Sequence, residues 1–286
     1  MNRKAPDHPW MFFALVYGLS VPFWILGTRL KHSGLPDNLP VTDIGAVLTP
    51  TIAAVILRYR EAGSNGVRAL LARTFDYCRI ANGGWLAAAI VVFPFLYVVT
   101  YVAMRVLGYP LPTAWHLSAA LIGVLVLFSI AAAAEELGYS AYETDALQRR
   151  MSALNAALVM GPLWALWHLP SMIAVGQSTE LILWGLLGTV AVRILNVWIF
   201  NNTGASLFAV ILMHAIGNTA RTSYPGGRAG YELGHGSVAY SVIIVFSLIV
   251  IALWRPSTLA SFLGRKSNNR GRRTGFRSGD PRVSRA

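Results

Sequence analysis

The 286-residue chain is 55% hydrophobic and only 13% charged, with a formal net charge of +12. A soluble globular chain is about 25% charged and lacks serial apolar runs near 20 residues, so a soluble domain with a large core is excluded. The single cysteine, Cys78, excludes an intramolecular disulfide. Without zinc-finger spacing or an aromatic-interleaved basic patch, the positive charge points to membrane loops and not to nucleic acid.

Apolar runs recur at roughly residues 10–27, 41–57, 85–104, 117–138, 154–175, 181–200, 205–220 and 238–254. At ~1.5 Å per residue, about 18 residues cross the hydrocarbon core. The pattern predicts an all-α, polytopic membrane helix bundle of about eight transmembrane helices over residues 1–254. The first run reaches Gly27 with no small-x-small cleavage site after it, and so reads as an uncleaved helix. The fifth span contains Pro162 and Pro170, and the seventh is short and contains His214 and Asn218. The loop 58–84 is expected to hold a short amphipathic surface helix around 67–77. Residues 255–286, rich in Arg, Ser, Gly and Asn, form a basic tail that cannot bury enough surface to fold and is expected to touch anionic lipid.

Loop charge predicts the orientation. With the N-terminus inside, eighteen of the 24 Lys and Arg residues fall inside, including Arg3, Lys4 and the tail, and five fall outside. Arg193 lies within a span. This bias places both termini in the cytoplasm of a cell membrane.

Most acidic residues, Glu61, Asp76, Glu143 and Asp145 among them, are assigned to loops or tails. Only Glu135 and Glu136 continue an apolar helix. A charged side chain at bilayer depth costs at least ~2.5–3.5 kcal/mol and calls for a function. His168 and His214 also lie well inside spans, and Asn218 follows His214 at i+4, on the same helix face. A carboxylate beside an imidazole can activate water, and a second imidazole with an amide can stabilise an oxyanion. The same groups could bind a divalent metal such as zinc, with Glu135, His168 and His214 as ligands, although an HExxH run is absent. Alternatives are a polar network that only ties helices together and a proton-coupled transporter, for which no paired repeat is evident.

Three segments carry a resemblance: Glu135-Glu136-Leu-Gly-Tyr-Ser140, Trp164-Ala-Leu-Trp-His168 and His214-Ala-Ile-Gly-Asn218. They resemble the Glu-Glu-xxx-Arg, aromatic-xxx-His and His-xxx-Asn motifs of the CPBP family of intramembrane proteases, also called the CAAX-protease or Abi family. The similarity covers roughly residues 120–220. The resemblance implies an intramembrane endopeptidase acting on a peptide or lipidated protein, with Glu135 activating water, His168 assisting, and His214 and Asn218 forming the oxyanion hole. It leaves open both a metalloprotease and a metal-free glutamate mechanism, as well as a non-catalytic binding or immunity protein.

One departure stands out. The family arginine is replaced by Ser140, which removes the partner expected for Glu136 at i+4. Arg193, in the sixth span and toward the same membrane side, is the candidate replacement.

Overall fold

The computed structural model describes residues 8–29 and 41–260. Arg3, Lys4, Lys31 and the basic tail from residue 261 onward lie outside the described residues. Within them there is no strand. The helices are α1 (Pro9–Arg29), α2 (Val41–Ala46), α3 (Thr49–Ala72), α4 (Gly83–Val106), α5 (Ala120–Gly138), α6 (Asp145–Gln148), α7 (Ala153–Ala174), α8 (Thr179–Asn202), α9 (Leu207–Thr222), α10 (Gly227–Tyr231) and α11 (Ser237–Leu253).

Local chemistry fixes several starts. The side chains of Asn82, Ser152, Ser178 and Ser206 each accept a hydrogen bond from a backbone N–H of the first turn of α4, α7, α8 and α9. Such caps satisfy donors that a helix leaves open at its N-terminus.

Among the described residues, six helices are long and apolar enough to cross a membrane: α1, α4, α5 with its extension to Gln148, α7, α8 and α11. Their outward faces carry exposed Ile90, Val91 and Phe95 on α4, Ile122, Val126 and Ile130 on α5, and Val245, Leu248 and Leu253 on α11. Apolar surface on this scale needs lipid against it. The chain is a multi-pass membrane protein.

The other two predicted spans differ in form. The second is split between α2 and α3, because Pro50 sits in the first turn of α3 and starts a new helix there. The seventh is α9, whose 16 residues cover only ~24 Å.

Past its first half, α3 bends at Ala62 and Gly63, the latter with φ 61° and ψ −157°. That conformation is open to glycine at no steric cost. Residues 58–72, expected in a loop, are helical apart from this bend, and the helix ends at Ala72, so the surface helix expected around 67–77 is only partly present and gives way to 3-10 turns at Arg73–Phe75 and Tyr77–Arg79.

The bundle centres on α5. It packs against α9 and α3, while α7 packs on α8, α8 on α11, and α4 on α9. Gly138 lets α5 approach the start of α3: a Cβ there would lie 2.5 Å from the Pro50 carbonyl oxygen. Thr51 Oγ1 donates to the Ala134 carbonyl at 2.6 Å and closes the same contact.

Beyond Gly138 the chain does not leave the helix. It makes a π-helical turn, Tyr139–Thr144, and continues into α6. Glu143 and Asp145 are thus not loop residues, and Glu143 is fully buried. Glu61 is likewise helical, and its carboxylate accepts hydrogen bonds from Tyr142 Oη at 2.6 Å and Arg58 Nη1 at 3.1 Å. Arg73 staples this region, donating to the carbonyls of Ala141 at 2.7 Å and Ala205 at 2.9 Å and to Asp145 Oδ2 at 2.8 Å. Asp76 accepts from the backbone N–H of Phe208 at 3.1 Å and anchors the start of α9. Glu61, Asp76 and Asp145, which sequence alone assigns to solvent, thus lock neighbouring segments together.

Residues 255–260, the beginning of the expected tail, run along the bundle. The backbone N–H groups of Ala153 and Leu154 donate to the carbonyls of Ser257 and Pro256, and Asn201 and Asn202 donate to those of Thr258 and Leu259.

Candidate active site

Glu135 and Glu136 form the last turn of α5. Neighbouring residues on a helix diverge by about 100°, so the two carboxylates enter different surroundings.

Glu136 is fully buried and heavily bonded. Arg193 Nη1 donates to Oε2 at 2.8 Å and Nη2 to Oε1 at 3.3 Å. Asn196 Nδ2 donates to Oε1 at 3.1 Å, and Ser140 Oγ donates to Oε2. His214 Nδ1 lies 3.0 Å from Oε1. Arg193 and Asn196, at i and i+3, share one face of α8. The guanidinium also lies over the Trp164 ring, 4.0 Å from its centroid, and within 5.2 Å of the Tyr139 centroid. Such contacts strengthen when desolvated. Arg193 therefore supplies the counter-charge to Glu136, and Ser140, at i+4 from it, contributes a weaker donor to the same carboxylate.

Glu135 is 8% exposed. The indole Nε1–H of Trp164 donates to its Oε2 at 2.9 Å. His168 Nε2 is 4.0 Å from the same oxygen, beyond a direct hydrogen bond. His168 is held edge-on by Trp164 and Trp167, with centroids 5.3 Å and 4.8 Å away. Trp167 is fixed in turn by donating to Ser20 Oγ at 2.8 Å. Pro162 and Pro170 lie within α7 on either side of these aromatic residues.

His214 and Asn218 project from α9, which packs on α5. His214 also meets Trp164 edge-to-face at 5.9 Å. The Asn218 amide is half-buried and makes no hydrogen bond with the described residues. The structure thus gathers Glu135, Glu136, His168 and His214 from α5, α7 and α9, and α8 supplies the positive counter-charge.

Trp164 touches both halves of this centre. Sequence spacing placed it one turn before His168, on the same face, but not as the donor to Glu135 or the platform under Arg193. Asn196 was not foreseen at all. Its signal was available: a second polar residue three positions after the one arginine of an apolar helix.

Among the described residues, no group of three or more His, Cys, Asp or Glu side chains is arranged to hold a metal ion. Both oxygens of Glu136 are occupied by Arg193, Asn196, Ser140 and His214.

Fold and centre together define a class: a multi-pass helical membrane protein with two carboxylates and two imidazoles converging inside the bundle. Residues 115–220 match the family described as type II CAAX prenyl endopeptidase Rce1-like. The chain is also 23% identical over 226 residues to CAAX prenyl protease 2 of Methanococcus maripaludis, covering 74% of this chain and 83% of that protein. The segment that carries the centre is thus similar to CAAX prenyl endopeptidases.

Proposed function

We propose that this chain is an intramembrane endopeptidase that hydrolyses a peptide bond of a membrane-associated, CAAX-type lipidated protein at the cytoplasmic membrane face. The observation that carries this reading is the 4.0 Å gap between Glu135 Oε2 and His168 Nε2. It lets one water sit at hydrogen-bond distance, ~2.8 Å, from both groups.

Glu135 takes a proton from that water as the oxygen attacks the scissile carbonyl carbon, with His168 orienting the water. The carbonyl oxygen becomes an oxyanion. His214, as an imidazolium whose Nδ1–H donates to Glu136, donates its Nε2–H to it, and the Asn218 amide supplies a second donor. Glu135 then passes the proton to the departing amide nitrogen as the C–N bond breaks. Arg193, Asn196 and Ser140 take no part in bond making. They hold Glu136 in place, and through it the His214 ring.

The test is cleavage of an S-farnesyl peptide of CAAX type in proteoliposomes by wild type and by Glu135→Gln. Cleavage by the first and not the second supports the enzyme. Cleavage by neither, with peptide still bound, favours a non-catalytic binding protein. A parallel chelator titration decides metal dependence: cleavage that falls on chelation and returns with added zinc would require a metal-loaded form of the site.

A further inference from the structure

The bend in α3 builds a second feature, away from the glutamates. Before the bend, Ile56, Tyr59 and Arg60 lie on one face of the helix; after it, Arg68, Leu71 and Phe75 follow at i, i+3 and i+7. The turn at Ala62 and Gly63 opens the two faces onto one groove of about 820 Å³. Tyr59, Leu71 and Phe75 are exposed there, Phe75 to 73%. Five arginines lie between residues 58 and 79. Arg58, Arg73 and Arg79 are each paired with a carboxylate of the chain. Arg60 and Arg68 are exposed, and among the described residues neither forms an ion pair or hydrogen bond. Both line this groove, and no acidic residue among the described ones lines it with them. Glu61, beside Arg60 in sequence, is already taken by Arg58 and Tyr142. The depth also matters. From Thr49 to Leu57 α3 carries no charge, and the arginines begin at once beyond it. The groove therefore spans the step from hydrocarbon to headgroups.

We infer that this groove binds one anionic phospholipid, its phosphate held by Arg60 and Arg68 and an acyl chain laid against Ile56, Leu71 and Phe75. Arginine suits the headgroup because its planar fork pairs with phosphate oxygens through parallel N–H···O bonds. Ser64, which also lines the groove just past the bend, offers a hydroxyl donor. Each half of the site excludes a simpler occupant. A soluble anion leaves the apolar wall uncovered, and an acyl chain alone leaves two cations unmet. A zwitterionic headgroup brings its own cation toward both arginines, so a headgroup of net negative charge is selected. The site is distinct from the basic tail and independent of catalysis.

The experiment adds equal amounts of phosphatidylglycerol and phosphatidylcholine with identical chains to the full-length protein in detergent. Native mass spectrometry counts the first lipid retained. A second arm uses the same lipids with a photoreactive group in the acyl chain, and the labelled residues are mapped on peptides. The expected result is roughly 10- to 30-fold enrichment of phosphatidylglycerol, the scale of two basic residues at an anionic headgroup. Its label should concentrate on residues 56–75. Arg60→Gln with Arg68→Gln should bring the ratio close to one, whereas Arg270→Gln, Arg272→Gln and Arg273→Gln together, in the tail, should leave it in place. Equal retention of the two lipids overturns the inference, as does a preference that survives the groove variant or disappears with the tail variant. Displacement by glycerophosphoglycerol, which has the headgroup and no acyl chain, reduces the site to an anion contact and overturns it as well. Should the groove variant fail to fold, the label on the wild type decides alone, and its absence from residues 56–75 sinks the proposal.

Discussion

Glu136 and Glu135 are consecutive residues of one helical turn, yet the first is met by four side-chain donors and the second by a single indole. An ionised carboxylate offers about four acceptor sites. Those of Glu136 are filled from the π-turn, α8 and α9, so it behaves as an anchor. Those of Glu135 are largely open, beside a histidine that stands just out of reach. The difference teaches where reactivity can reside in a membrane interior. A saturated ion pair holds helices together, whereas an unsaturated carboxylate retains the capacity to take a proton.

Substitutions on each side should separate the two roles. The largest effect is expected from Glu135→Gln, which keeps shape and the Trp164 bond but removes the proposed base. Cleavage should fall ~10²–10⁴-fold, with thermal stability nearly unchanged, as read by rate assays and melting of the same preparation. Next is Arg193→Leu, which leaves Glu136 buried without its counter-charge. A loss of about 3–5 kcal/mol is expected in a reversible unfolding titration. Ser140→Arg added to that variant returns a guanidinium to i+4 and should recover more than half of the loss. If the double variant is no more stable than Arg193→Leu, the exchange of arginines between α5 and α8 is not equivalent.

Smaller effects should sharpen the contrast. Trp164→Phe keeps an aromatic face for Arg193 but deletes the indole donor to Glu135, and cleavage should slow about tenfold. An unchanged rate would mean that the indole does not orient the base. Asn196→Ala removes one of several donors to Glu136 and should cost about 1 kcal/mol or less in the same unfolding titration, the scale of single hydrogen bonds inside membrane bundles. A loss as large as that of Arg193→Leu would show that the network is not redundant.

Much of this was legible in the chain. Uninterrupted apolar runs announce membrane helices because lipid permits little else. Polar residues in those runs are rare enough that Glu135, Glu136, His168, His214 and Arg193 identify themselves, and the pairing of Arg193 with Glu136 followed from the gap at Ser140. What escaped depended on where helices end and meet. Glu61, Asp76, Glu143 and Asp145 lie near charged and polar segments, and nothing local distinguishes a solvated carboxylate from one that receives a tyrosine hydroxyl or the N–H of another helix. The π-turn at Tyr139–Thr144 has no sequence periodicity of its own. The split of the second span at Pro50 was visible as a proline, but hydropathy averaged over the run concealed it.

Gly138, two residues past the glutamates, sets a limit that none of these charges can relax. Any side chain there meets the Pro50 carbonyl and must push α5 away from α3 or turn it about its axis, carrying Glu135 along. Reacting groups displaced by ~1 Å can lose about 10²-fold in rate. The arginine that neutralises Glu136 can be supplied from α8 in place of α5, because a charge needs only to arrive near its partner. The clearance between two backbones has no substitute elsewhere in the chain. In a bundle of this kind charge is portable and spacing is not.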